Sequence, residues 1–137
     1  MMKRIAMAAM LVLSAPMAWA EGCPPRDGAT IPEVEAMNQM LLDLDFNGFA
    51  ATVKQQVGTD ISASMPGAAE LFAKGFIGCT TVVQRRDIGG LVQNLVYFDS
   101  SVGPLFVYWR VVPVGAAHRL ISFSVNTDMD KVFDHLQ

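Results

Sequence analysis

The chain has 137 residues, 52% of them hydrophobic, and a formal net charge of −3 at pH 7. An acidic balance argues against nucleic acid and anionic membrane surfaces as partners. The length fits one domain with its own core.

The first twenty residues have the form of a cleavable secretory signal. Lys3 and Arg4 make a basic start, Ile5 to Leu13 an apolar run, and Ala18-Trp19-Ala20 a small-residue cleavage site. Cleavage after Ala20 is expected, which sends the mature chain to the periplasm or out of the cell. The apolar run is about half the ~20 residues that a spanning helix needs. No membrane attachment is therefore expected after cleavage, although Cys23 leaves lipidation as an alternative that Ala20 and Glu21 fit poorly. Residues 21–137 carry eight Lys and Arg against thirteen Asp and Glu, a net charge of −5. The organisation expected is a signal peptide at 1–20, an irregular arm at 21–29 and a single domain at 30–137.

The arm contains Pro24, Pro25 and Gly28, which disfavour a helix. Thr30-Ile31-Pro32-Glu33 then has the pattern of a capping box, with Thr30 as the cap, Glu33 reaching back and Pro32 in the first turn. Val34, Met37, Leu41 and Leu44 recur at helical spacing, so a helix to about Leu44 is predicted. Phe46, Phe49, Ala50, Val53 and Val57 predict a second amphipathic helix that stops at Gly58. Ser64 to Gly75 predicts a short third one, with Ser64 as cap and Leu71 and Phe72 turned inward.

Beyond Gly78 the texture becomes β-branched and aromatic, broken by turn residues. Strands are predicted at 79–86, 91–98, 105–112 and 119–126, joined by short connections as an antiparallel meander. Alternation puts Leu105, Val107, Trp109 and Val111 on one face, and Ile121, Phe123 and Val125 likewise. Phe106, Tyr108, Arg110 and Val112, with Leu120, Ser122, Ser124 and Asn126, fall on the other. Thr127 opens a last helix on which Met129, Val132, Phe133 and Leu136 form one apolar stripe. Helices followed by a run of strands predict an α+β fold, with helices packed on one sheet face.

Two cysteines remain, Cys23 and Cys79, in a chain addressed to an oxidising compartment. A Cys23–Cys79 disulfide is expected, pinning the arm and restricting the unfolded chain by roughly 4 kcal/mol. Free thiols or a redox pair are the alternatives, and the spacing is unlike Cys-x-x-Cys.

The catalytic inventory is thin. His118 and His135 are far apart and accompanied by no spaced cluster, so no metal site is expected. His135 suits the last turn of a helix. No nucleophile elbow, phosphate loop or dinucleotide fingerprint occurs, and no cofactor is expected. The mixed sheet face remains, where Phe106, Tyr108, Arg110, Ser122, Ser124 and Asn126 are candidates for a binding or dimer surface. Its plainer reading is a solvated polar face.

Three helices followed by a four-stranded meander, with Tyr108-Trp109-Arg110 on one strand and His118 to Thr127 as the last, resemble small exported members of the nuclear-transport-factor-2-like superfamily. Leu41 to Phe46 with Phe49-Ala50 is similar to that family's helix hinge, and Gly75-Phe76-Ile77-Gly78 to its entry into the sheet. The resemblance covers about Ile31 to Thr127. It implies a cone-shaped α+β fold and, in many members, a homodimer formed through the outer sheet face. It also implies, for an isomerase or dehydratase, an Asp, His or Tyr in an apolar pocket. Asp99 is expected in a turn and His118 beside a loop, so neither fits that role. The function expected is a non-catalytic exported domain that dimerises or binds a periplasmic protein or small ligand through its sheet. The alternative is a cone-fold isomerase, dehydratase or hydrolase-like enzyme.

Overall fold

The computed structural model describes residues 22–136. The signal-peptide reading lies outside them. The fold is α+β, as expected: three helices, a four-stranded antiparallel sheet whose strands pair in chain order, and a short closing helix.

Helix α1 spans Pro32–Leu42 and α2 Phe46–Val57. Both bury the predicted apolar faces, with Val34, Met37, Leu41, Phe49 and Val53 in one core. The capping box at the start of α1 does not form. Ile31 occupies the cap position without a side-chain bond, and Glu33 instead accepts the His118 N–H of the last strand. Leu44, at φ 59°, breaks the chain between the two helices. Asp45 caps α2 by accepting the N–H of Gly48, and Gly58 ends it at φ 84°, a conformation that costs glycine little. The predicted third helix becomes a 3-10 turn at Ser62–Ser64 and α3 at Met65–Leu71. Ser64 makes no cap bond, and Leu71 faces solvent, whereas Phe72 is buried.

The strands are β1 at Phe76–Arg86, β2 at Val92–Ser100, β3 at Leu105–Val114 and β4 at Ala117–Asn126. Each appears where the residue texture changes, and β1 starts three residues earlier than expected because Phe76 stacks between Phe72 and Phe98. Asp99, expected in a turn, lies within β2 and accepts the Tyr97 hydroxyl, which holds that phenol above its ordinary pKa.

Two of the three register shifts in the sheet bear on which side chains face the helices. In β1 the pairing skips Val82, which turns outward. In β4 it skips Ile121, so Leu120 pairs with Val111 and Ser122 with Arg110. Strict alternation placed Leu120 on the mixed face and Ile121 in the core; the bulge reverses both. Leu120 is 2% exposed and Ile121 41%. An extra residue between paired positions shifts the side-chain phase by one.

The helices cover the inner face over β3 and β4, and the N-terminal arm covers it over β1. There Cys23 and Cys79 form the expected disulfide, with Cα atoms 5.5 Å apart. The Thr81 hydroxyl donates to the Cys23 carbonyl, and the Gln84 side-chain amide exchanges two hydrogen bonds with the Ala29 backbone. On the outer face, helix α4 at Met129–Phe133 is seated by Val132 against Leu95 and Tyr108. Its predicted apolar stripe is only half used, since Met129 and Phe133 remain exposed. Among the described residues, no helix is long and apolar enough to cross a membrane.

Candidate functional site

The six residues proposed for the sheet face do share it. Register sets Phe106 opposite Asn126, Tyr108 opposite Ser124 and Arg110 opposite Ser122. Three of them, however, already spend polar groups inside the protein: Tyr108, Arg110 and Asn126. Tyr108 is 1% exposed, and its hydroxyl donates to Gln93 Oε1 at 2.7 Å while accepting Arg110 Nε at 3.1 Å. Gln93 in turn donates to Asp87 at 2.7 Å. The Arg110 guanidinium lies 5.8 Å from the Tyr108 ring centre, and the His135 ring of the last turn stacks on the same ring. Asn126 accepts the Asp128 N–H at the approach to α4. A satisfied network of this kind orients groups that would otherwise be costly to bury. It seats α4 and leaves Ser122 and Ser124 as the half-buried polar remainder.

A second polar chain crosses the inner face. Trp109 Nε1 donates to Asn38 Oδ1 at 2.9 Å, and Asn38 Nδ2 approaches Glu35 Oε2, which also accepts the Cys23 N–H. Burial pushes the Glu35 carboxyl above its ordinary pKa, while the Cys23 and Asn38 donors partly oppose that rise. The chain is enclosed by the arm and α1. Its geometry is that of a core tie between arm, helix and sheet, and it opens onto none of the cavities described here.

His118 is the second residue of β4, beside the turn at 115–116 as expected, and its backbone N–H donates to Glu33 Oε1 at 3.0 Å, with Nδ1 3.7 Å from Glu33 Oε2. Gln56 Oε1 similarly accepts the Leu120 N–H. Helix side chains thus satisfy N–H groups of the edge strand β4, which otherwise would be open to pairing. Among the described residues, no group of three or more His, Cys, Asp or Glu is arranged to hold a metal ion.

The feature with the shape of a binding site is elsewhere. A cavity of about 420 Å³ opens between α1, α2 and α3 on one side and β3 and β4 on the other. Phe49 and Phe123 meet edge to face in its wall, 6.3 Å between ring centres, and Trp109 packs behind both. Leu41, Phe46 and Leu105 extend the apolar lining, and Ile61, Met65, Ala68 and Phe72 form the opposite wall. Ser64 and Ser124 are the two polar residues bordering it, although strand alternation turns the Ser124 side chain to the outer face beside Tyr108, and none of the lining residues is titratable. The volume lies in the ordinary range for small-molecule sites.

Composition by itself missed this cavity. Ile61, Met65, Ala68 and Phe72 are spaced by four, three and four, a helical stripe legible in the sequence. The reading that turned Leu71 inward obscured it. Because α3 buries none of its own seven residues, the stripe half-covers a void rather than filling it.

Comparisons with protein-family models, with characterised proteins and with solved structures each find no match.

Proposed function

We propose that this protein is an exported, non-catalytic domain that binds a small apolar molecule in the cavity between its helices and β3–β4. The observation that carries the reading is the lining itself: aromatic and aliphatic on every side, concave, and without a titratable group. Such a site removes apolar ligand surface from water at about 25 cal/mol per Å². Its apolar lining supplies no titratable acid or base, and the two serines bordering it have no base among the lining residues to activate them, as an isomerase, dehydratase or hydrolase would require.

Export through a leader cleaved after Ala20, to the periplasm or beyond, belongs to the same reading. The Cys23–Cys79 bridge supports an oxidising destination. The succession of helices and meander is in keeping with the nuclear-transport-factor-2-like resemblance. A homodimer or a periplasmic protein partner on the outer sheet side is a second reading, favoured by the exposure of Met129 and Phe133 on α4.

Fluorescence titration of the mature protein with N-phenylnaphthylamine, a neutral apolar dye, tests the main reading. Saturable binding of one dye per chain is expected, weakened more than tenfold in Ala68→Trp, which fills the cavity. A folded wild-type protein that shows no saturable signal refutes it. For the homodimer of the second reading, Phe133→Glu should convert a dimer to a monomer in native mass spectrometry; a monomeric wild type removes the homodimer.

A further inference from the structure

Resting on that reading, we infer that the ligand is an amphiphile with a single apolar tail and a positively charged head, and that Asp45 selects the head. The argument begins with a second concavity. Beside the apolar cavity lies a shallower one lined by Leu44, Asp45, Asn47, Pro66 and Ala69. The two share Phe46 and Met65, which contribute to both linings. One is almost wholly apolar; the other presents a carboxylate and an amide. Adjoining chambers of opposite polarity match a molecule that is itself divided into tail and head.

The charge on the head follows from what lines the polar chamber. Asp45 is the one charged residue among the described residues lining either concavity. A helix start ordinarily favours anions through free N–H groups. Here the N–H of Gly48 is already taken by Asp45 Oδ1 at 2.9 Å, so what this position adds to the chamber's lining is an acidic residue rather than a free N–H. The three ion pairs among the described residues leave Asp45 out: Lys54 pairs with Asp60, Arg85 with Asp87, and His118 approaches Glu33. A mature net charge of −5 adds long-range repulsion for anions. An ammonium head beside Asp45, with its tail past Phe46 toward Phe49 and Phe123, satisfies both chambers.

Displacement of N-phenylnaphthylamine by decylamine, decanol and decanoate at pH 7 tests the inference on one tail length. Decylamine is expected to compete about fivefold better than decanol, the scale of one exposed opposite charge, and decanoate worst. Asp45→Asn keeps a good helix cap and should bring decylamine level with decanol. Raising the salt concentration should shrink the same preference in the wild type. Equal competition by all three, or an amine preference that survives Asp45→Asn, overturns the inference while leaving apolar binding intact. Dye that binds but yields to none of the three also overturns it, whereas failure of the dye itself to bind removes the parent reading.

Discussion

Glu35 and Cys23 are joined side chain to backbone, the Glu35 carboxyl accepting the Cys23 N–H where the N-terminal arm crosses α1. The contact is tight enough that Gly22 has no room for a side chain. A Cβ there would fall 2.4 Å from Glu35 Oε2, and the residue holds φ at 59°. One Glu35 oxygen, Oε1, is buried without a hydrogen-bond partner. A carboxyl in this position stabilises the arm best when neutral.

Stability should therefore depend on pH through Glu35. Because burial raises its folded pKa above the unfolded value, the contribution is full below the unfolded pKa and is lost as pH rises through the folded one. Glu35→Gln removes that dependence while preserving an acceptor for Cys23. Thermal unfolding from pH 4 to pH 7.5 should show the variant gaining on the wild type as pH rises. Parallel curves across that range would sink the idea.

The disulfide should matter by several kcal/mol. Replacing Cys23 and Cys79 together by Ser is expected to cost up to about 4 kcal/mol in urea unfolding. Burial of Cys23 in the main core means the arm loses packing as well as its tether. Unreduced protein should resist thiol labelling even when denatured; full labelling would show the bridge to be absent from the purified chain.

Asn38 holds Trp109 and Glu35 together across the core. Asn38→Ala leaves the Trp109 indole N–H without its acceptor and removes a donor from Glu35. A loss of about 1–3 kcal/mol is expected, with a changed near-ultraviolet signal from Trp109. A variant as stable as the wild type would mean that the indole finds another partner.

The β4 bulge makes two adjacent aliphatics unequal. Leu120→Ala should cost about 2–4 kcal/mol by emptying a packed site. Ile121→Ser, on the solvent side, should change stability by less than about 0.5 kcal/mol. Chemical denaturation of the pair decides the matter, and the reverse ranking would restore simple alternation.

Much of this architecture is written in local pattern. Apolar residues three and four apart locate α1 and α2, and Gly58 marks the end of the second helix. Alternating β-branched and aromatic runs locate all four strands and their order. These features depend on neighbours within a few residues, so local sequence carries them. The capping box at Thr30 misled for an instructive reason: Glu33 had a better use 85 residues away, at the His118 N–H. Likewise, the polar residues of the outer sheet face look available in a strand diagram. Tyr108 is consumed by Gln93 and α4, and Arg110 by Tyr108, once the chain is folded.

Sequence alone determined the class of fold, the pairing available to two cysteines and the absence of a recognisable catalytic motif, because each follows from composition and short spacing. Tertiary structure decided the rest. A bulge with one extra residue chose Leu120 over Ile121 for the core, since phase in a strand is set by its partner. The cavity, too, exists only between elements. Its walls come from Leu41, Ile61 and Phe123, far apart in the chain, and its width depends on how α3 is set against the sheet. No single segment encodes that distance; it is settled by the packing of all of them together.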